Sequence, residues 1–457
     1  MISALKRSWK NLPPGETIML YYATAIFLGA LLLATPLAAQ GQPLSFLDAL
    51  FTATSAQCVT GLVVVDTGTR LSLFGQLVVL ALIQLGGVGI MTFSVYLFIY
   101  LRVGVSMRGR WVIQETLLHK PVGSLPDLIK GIFFMTIGIE AIGAVLLALA
   151  FIPDLGFLQG SFSAIFHSVS AFCNAGFSLY SDGLIGYRKN AFVNLTVMVL
   201  IILGGIGFLV IQEVLEVGRR RRKQKQRTRL SLHTKVVLCT SIFLILYGAV
   251  LIGCLEADHA LAGMSFMEGF WTALFQSVTA RTAGFNTIDL NAFQASTLFL
   301  IMFLMFIGAS PGSAGGGVKT TTFALFIGIL YNRIRGNPHT NLFRRTVPDE
   351  VVTRALALVL LAITLIGFAF FGLLIAQSQV AGETSRGFLF YAFETVSAFG
   401  TVGLSLGATA ELTALGKIIT IVLMFVGRVG LLTLAFAIAG RRKPHAPRYA
   451  EENVMIG

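Results

Sequence analysis

The sequence predicts an all-α integral membrane fold of eight spans, built as four membrane–pore-helix–membrane repeats around a pseudo-fourfold pore. The first observation is composition. The 457 residues are 55% hydrophobic and only 12% charged, whereas a soluble domain carries about 25% charged residues. The second is a motif that occurs four times: a Phe precedes a Ser or Thr by four residues, an Ala follows, and a lone Gly comes later. Four such loops around one axis would enclose a hole lined by backbone carbonyls.

The apolar segments long enough to cross a bilayer as helices, about 20 residues or more, come in pairs. The pairs are 17–39 with 71–101, 127–152 with 191–217, 236–256 with 293–334, and 353–377 with 412–439. The repeats therefore occupy 1–126, 127–235, 236–352 and 353–457. The first includes an N-terminal cytoplasmic segment, the second a basic cytoplasmic loop, the third a broken second span, and the fourth a cytoplasmic C-terminus.

A shorter apolar segment lies between the two members of each pair. These segments are 46–56, 162–172, 266–280 and 388–399. They are too short to span and too apolar for a free loop, so each predicts a re-entrant half-helix. An amphipathic segment on the membrane surface is the alternative, and four copies in register disfavour it.

The net charge of +13 reflects membrane topology and predicts no nucleic-acid partner, because the positive residues segregate by side. Most of the 34 Lys and Arg residues fall in the termini and in the loops between repeats. The positive-inside rule then places both termini in the cytoplasm. The opposite side holds Arg70, Arg188, Lys189, Arg281, Arg386 and Lys417. The basic run 219–229 also favours contact with anionic membrane lipid.

The loop after each half-helix carries the candidate ion-binding residues. A half-helix that points its C-terminus at the membrane centre puts partial negative charge there, and loop carbonyls can replace the water around a cation. Glycine adopts a positive φ without strain and leaves the hole open. The predicted selectivity-filter residues are Val59, Thr60, Gly61, Asn174, Ala175, Gly176, Thr282, Ala283, Gly284, Thr401, Val402 and Gly403.

The second span of the third repeat contains a glycine-rich break that predicts a gate. A regular helix cannot persist through so many glycines and a proline, and broken helices mark binding sites and gates in transporters. The candidate gate residues are Gly308, Pro311, Gly312, Gly315, Gly316, Gly317, Lys319 and Arg428. The break is not a nucleotide-binding P-loop, since Val318 stands where that motif requires Gly before Lys319.

Charged residues inside the spans are costly and call for a partner or a role. Arg428 replaces the second glycine of a motif found as GGVG and GGIG in other spans. Its guanidinium either stands in the pore as a barrier or packs by donating to pore-helix carbonyls. Lys319 either pairs with a carbonyl end of the broken helix or reaches toward the membrane surface. For Glu140 we expect a Lys or Arg partner.

Four outer acids suggest either a negative vestibule or ordinary solvated loops: Asp66, Asp182, Asp289 and Glu411.

At the glycine loops the chain resembles the Trk/Ktr/HKT superfamily of potassium transporters, and the resemblance covers about residues 17–440. Because the first repeat starts near residue 17, the chain resembles the Ktr-type membrane subunit within that superfamily. The resemblance implies potassium as the transported ion, with Gly61 in place of the Ser that favours sodium, and the 308–318 break and Arg428 as gate elements. It also implies a homodimer in the plasma membrane (the bacterial inner membrane) on a cytosolic ring of nucleotide-binding regulatory subunits, sodium stimulation, and ATP or ADP acting only through that partner.

We therefore predict potassium uptake through a four-loop carbonyl filter, with no enzymatic activity and no cofactor held by this chain. The alternative is a secondary cation exchanger coupled to protons or sodium. Exchangers usually carry intramembrane carboxylates, and of the acids in the spans only Glu140 fits, weakly.

Overall fold

The structure, a computed structural model, describes residues 14–103, 125–224, 229–378 and 387–431. Helices dominate these ranges. In chain order they are α1 Pro14–Leu33, α2 Phe46–Gln57, α3 Leu73–Val103, α4 Leu125–Leu155, α5 Phe157–Cys173, α6 Ala191–Ile206, α7 Phe208–Gln224, α8 Leu232–Glu256, α9 Phe266–Thr279, α10 Ala295–Phe306, α11 Thr320–Ile334, α12 Asp349–Ser378, α13 Phe388–Gly400 and α14 Ala414–Val429. A two-stranded hairpin, β1 Asn341–Leu342 and β2 Arg345–Thr346, is a small addition to the predicted all-α fold.

Short helices occupy the four segments predicted as half-helices. They are α2, α5, α9 and α13, and each stands between a longer helix and a second apolar helix. Ser45 and Ser265 begin two of them as N-caps, because each side chain accepts a hydrogen bond from the backbone N–H three residues on. Helix α5 begins earlier than expected, at Phe157.

Within the described ranges, five helices are long and apolar enough to cross a membrane: α1, α4, α8, α12 and the first part of α3. The segment predicted as a span over 191–217 is not one continuous helix, because α6 and α7 meet at an angle of 100°. Gly207 lies at the bend with φ 97° and ψ 143°, a backbone that disfavours other residues. The predicted break in the third repeat is present between α10 and α11. The final predicted span is described only to Leu431.

Apolar side chains on the outer faces of the helices are exposed, which is the pattern of a protein whose solvent is lipid. Phe27, Phe134, Val250 and Phe368 are each more than half exposed. The whole chain is thus a multi-pass membrane protein rather than a soluble globule.

Three buried apolar clusters join the repeats into a closed bundle. One joins the first and second repeats and reaches the third, a second joins the third and fourth, and a third joins the fourth back to the first. Phe51, Phe166, Phe275 and Phe393, the phenylalanines of the fourfold motif, are all fully buried in these clusters or against them. The motif Phe therefore fixes each short helix in the core.

Candidate functional site

The four motif glycines meet in a ring. A Cβ added to Gly176 would lie 2.8 Å from the carbonyl oxygen of Ala283 and 3.0 Å from the Cα of Gly284. The same construction repeats around the axis: a Cβ on each glycine would collide with the carbonyl oxygen just before the glycine of the next repeat. The pairs are Gly61 with Ala175, Gly284 with Val402, and Gly403 with Thr60. The contacts close from the fourth repeat to the first, so the loops surround one axis in chain order.

The backbone of each loop is left-handed at two alternate residues. The glycines have φ between 69° and 92°, and the residue two positions earlier is also left-handed although it has a side chain. These earlier residues are Val59, Asn174, Thr282 and Thr401, with φ of 55°, 59°, 74° and 48°. A β-branched residue in this region is strained and persists only where surrounding contacts fix it. The repetition of the strain in all four loops indicates a common backbone shape.

The Ser or Thr of the motif fixes the loop that follows it. Ser55 and Ser397 each accept a hydrogen bond of 3.1 Å from the N–H of their loop glycine. Ser170 and Thr279 instead donate to the carbonyl of the Phe after the glycine, at 2.8 and 2.6 Å. In the third repeat one residue fewer separates Thr279 from the glycine. Sequence reasoning used these hydroxyls to align the repeats but gave them no role.

Glycines of the second spans let those spans approach the ends of the short helices. A Cβ on Gly86, Gly204 or Gly427 would collide with the carbonyl oxygen of Gln57, Phe172 or Phe399, respectively. Each of these carbonyls lies four residues before a ring glycine. These second spans therefore pack against the short helices next to the ring, and the glycine is required because the backbones touch.

The 308–318 loop packs against the loops of the ring. A Cβ on Gly315 or Gly316 would collide with the hydroxyl of Thr282 or Thr401, respectively. The loop folds back on itself, since Ile307 and Val318 form a parallel bridge and the N–H of Gly308 donates to Val318 at 2.9 Å.

The same loop docks on the bend of the second repeat. The N–H groups of Ser310 and Ala314 donate to the carbonyls of Gly205 and Gly204, both at 3.0 Å. The N–H of Phe208 donates back to Gly312 at 3.1 Å. These bonds satisfy carbonyls that the bend leaves without helical partners, so the bend and the loop depend on each other.

Arg428 joins the 308–318 loop to the first repeat. Its guanidinium, in a residue only 2% exposed, donates to the carbonyl of Ala314 and, at 2.8 Å, to that of Gly86. Tyr22 donates to the same Gly86 carbonyl at 2.8 Å. The carbonyls that Arg428 contacts thus belong to the loop and to a second span, and not to a pore helix as the packing alternative supposed. Lys319 donates to the Gly315 carbonyl at 2.7 Å, inside its own loop.

Two charged residues differ from the expectation. Arg281, which we assigned to an outer loop, is 8% exposed and donates to the carbonyl and hydroxyl of Ser241 on α8. It lies two residues after the end of α9 and three residues before the ring glycine Gly284. Glu140 accepts from the amide of Gln84 at 2.9 Å and lies 3.6 Å from the thiol of Cys173, rather than pairing with Lys or Arg. The carboxyl of Glu140 thus contacts a second span through Gln84 and a short helix through Cys173.

The outer acids serve local turns where their contacts are described. Asp66 accepts from the backbone and hydroxyl of Thr69, and Asp289 accepts from the backbone and side chain of Asn291. A different acid, Asp48, pairs with Lys417 at 2.6 Å. Partial burial would raise the pKa of Asp48, but the bonds from Lys417 and Ser45 outweigh it and lower that pKa below its usual range.

A model of the cation transport protein family TrkH matches residues 20–442 of the chain. The chain is 38% identical to the Ktr system potassium uptake protein B of Bacillus subtilis (strain 168), over 98% of both chains. It is 40% identical to the protein of that name from Vibrio alginolyticus, over 96% of this chain and 94% of that one.

Two further proteins extend these similarities. The potassium/sodium uptake protein NtpJ of Enterococcus hirae is 36% identical over 99% of both chains. Among solved structures, the potassium transporter TrkH of Vibrio parahaemolyticus superposes with a TM-score of 0.72 at 20% identity, covering 92% of this chain and 83% of that one. At that identity the superposition establishes the fold alone.

Proposed function

This chain belongs to the TrkH family of cation transport proteins, and we propose that it takes up potassium through the ring of Gly61, Gly176, Gly284 and Gly403. The observation that carries the proposal is the closure of four backbone loops around one axis. Four short helices end at that axis, and their C-terminal dipoles favour a cation there. Loop carbonyls then replace the water around the ion.

The relatives support potassium as the ion. Both full-length relatives at 38–40% identity are named potassium uptake proteins, and the name of a third includes sodium. Inward movement needs no energy source in this chain, because the membrane potential supplies about 2.3 kcal/mol per charge per 100 mV. Sodium stimulation is part of the proposal and has no assigned residue.

The gate in this proposal is the 308–318 loop with Lys319 and Arg428. The loop obstructs the path below the ring, and the hydrogen bond from Arg428 to Ala314 holds it there. A cation leaving the ring inward meets the two positive side chains as well as the loop. The loop must move for ions to pass. Its two backbone hydrogen bonds to the carbonyls of Gly204 and Gly205 oppose that movement.

The assembly we propose is a homodimer in the plasma membrane with both termini in the cytoplasm. A cytosolic ring of nucleotide-binding subunits regulates it, as expected of a protein whose relatives are named parts of a Ktr system. ATP and ADP then act on the partner rather than on this chain. The basic segment that begins at Arg219 is the natural contact for such a ring or for anionic lipid.

The test is rubidium uptake in a potassium-transport-deficient strain, with sodium as competitor. Replacing Gly61 or Gly284 with Ser should reduce the preference for potassium over sodium, since a side chain there collides with the next loop. Unchanged preference in both variants would contradict the filter assignment. Uptake measured with and without an opposing proton gradient distinguishes a pore from a proton-coupled exchanger. Obligatory proton exchange would favour the exchanger.

A further inference from the structure

One position on the short helices is buried behind the loops and differs in every repeat. It is the residue after the motif Phe: Thr52, His167, Gln276 and Glu394. None of the four is more than 1% exposed. In the second and fourth repeats this residue is tied to the chain just beyond the ring glycine.

In the fourth repeat the carboxylate of Glu394 holds two hydroxyls. Ser405 donates to one carboxylate oxygen, and Thr409 donates to the other at 2.7 Å. Ser405 lies two residues after the ring glycine Gly403, and its oxygen accepts from the N–H of Gly407 at 2.9 Å. The carboxylate thus joins the body of α13 to the outer exit of its loop through charge-assisted bonds, which are stronger than neutral ones.

In the second repeat His167 makes the equivalent connection. Its Nε2 lies 3.0 Å from the hydroxyl of Ser178, which is two residues after Gly176 and accepts from the N–H of Tyr180 at 2.9 Å. The other ring nitrogen lies 2.8 Å from the carbonyl of Ser163. The imidazole stacks on Tyr180 with ring centroids 4.8 Å apart.

The first and third repeats have no such connection in the described residues. The hydroxyl of Thr52 and both amide atoms of Gln276 have no hydrogen-bond partner there. The residues two positions after their ring glycines are Val63 and Asn286. Because the ring follows chain order, the anchored loops stand opposite each other and the unanchored loops form the other pair.

We propose that Glu394, with His167 opposite, is a positioning residue for ion selectivity: it fixes the outer end of its loop without contacting the ion. This inference rests on the proposed function. Carbonyls discriminate between ions of different size only if their spacing resists collapse onto the smaller ion. Two loops that face each other, each tied to its own short helix beyond the ring glycine, fix that spacing across the axis.

The experiment compares Glu394→Gln, Glu394→Asp and Ser405→Ala in proteoliposomes, with rubidium uptake measured against competing sodium. Gln keeps the volume of Glu but offers one acceptor oxygen for two hydroxyls. We expect Glu394→Gln to reduce the potassium-to-sodium preference about tenfold, equivalent to about 1.4 kcal/mol. Ser405→Ala should give a similar loss, and Glu394→Asp, which keeps both acceptor oxygens, should recover part of it.

The matched control is Gln276→Leu, at the equivalent position of α9, which should keep the wild-type preference because the Gln276 amide has no hydrogen-bond partner among the residues that the structure describes. Ser405→Ala leaves the carboxylate in place, so it decides the question if Glu394→Gln does not reach the membrane. Wild-type preference in Ser405→Ala and in any Glu394 variant that inserts would overturn the inference. A Gly403→Ser variant measured in parallel separates the two claims: if it changes the preference and the anchor variants do not, only the anchor is wrong.

Discussion

At the scale of residues, the buried basic side chains inside the membrane are the most informative, because each needs a hydrogen-bond partner. Arg428 and Lys319 both donate to carbonyls of the 308–318 loop, whereas among the described residues Arg281 donates to Ser241. An arginine at bilayer depth carries a cost that its partners must offset. Arg428 does so with two carbonyls from separate repeats, and Arg281 does so with one residue and the negative end of α9.

Replacing Arg428 with Gln should raise the rate of potassium uptake. The substitution removes the bond to Ala314, and a bond from a charged donor contributes about 1.5–3 kcal/mol, so we expect an increase of about tenfold or more. Initial rates of rubidium uptake at matched protein levels measure it. Arg428→Lys separates charge from tethering: Lys keeps the charge but cannot bridge two carbonyls in a planar fork. Unchanged flux and selectivity in Arg428→Gln would contradict a gate role.

Replacing Arg281 with Gln should strengthen apparent potassium affinity. None of the four short helices has a basic residue in its last turn. Arg281 lies two residues after the end of α9, whereas the two residues after each of the other three helices are uncharged. Only the third repeat therefore carries a positive charge that opposes the helix dipole. A charge at a helix end is worth about 0.3–1 kcal/mol, which predicts a two- to fivefold lower KM for uptake. Arg281→Lys serves as the control and should stay near wild type. A KM that rises in Arg281→Gln would refute this view.

At the scale of elements, similar glycine-containing strings give different structures. The GGVG string in α3 continues as a helix, whereas the GGIG string ends α6 at Gly207 and the GRVG string ends α14 before Gly430. Gly207 and Gly430 share nearly the same backbone, with φ of 97° and 90°. The second and fourth repeats therefore break at this position, the third breaks just before it after Phe306, and the first continues as a helix.

Replacing Gly207 with Ala should disturb the 308–318 loop. The new Cβ would lie 2.7 Å from the carbonyl of Pro311 in a left-handed backbone, and strain of this kind costs about 1–3 kcal/mol. We expect altered uptake and a lower melting temperature in detergent. Gly218→Ala on α7 is the matched control, since nothing lies within 4 Å of its Cβ and its φ is ordinary. Equal behaviour of the two variants would show that the bend does not depend on Gly207.

At the scale of the whole molecule, ion pairs join neighbouring repeats. Asp48 on α2 pairs with Lys417 on α14 at 2.6 Å, and Glu268 on α9 pairs with Arg188 at 2.9 Å. Both acids are the third residue of a short helix that a Ser caps. One pair joins the first repeat to the fourth and the other joins the second to the third, so the bundle again has twofold character.

Replacing Asp48 with Asn should lower thermal stability at neutral pH by about 1 kcal/mol or less, as for other partly exposed pairs. The pKa of Asp48 is lowered in the folded state. Its contribution is therefore present above the unfolded pKa of about 3.9 and disappears as the pH falls through the folded value. Melting temperatures of wild type and Asp48→Asn across pH 7 to 3 measure the effect. A difference that grows toward low pH would contradict the assignment.

The sequence by itself determined the class of fold, the positions of the four short helices and the residues of the ring, because each follows from local hydropathy and from a motif repeated in the chain. Only the tertiary structure decided where Arg428 donates, since Gly86 is far away along the chain. It also decided that the chain bends at Gly207 while α3 continues through Gly89, and that the side chain of Arg281 is buried. These outcomes depend on which distant carbonyl or N–H comes within hydrogen-bonding distance, and no local pattern encodes that. One feature of the sequence could have indicated the anchors at His167 and Glu394: a polar residue follows the motif Phe in each repeat.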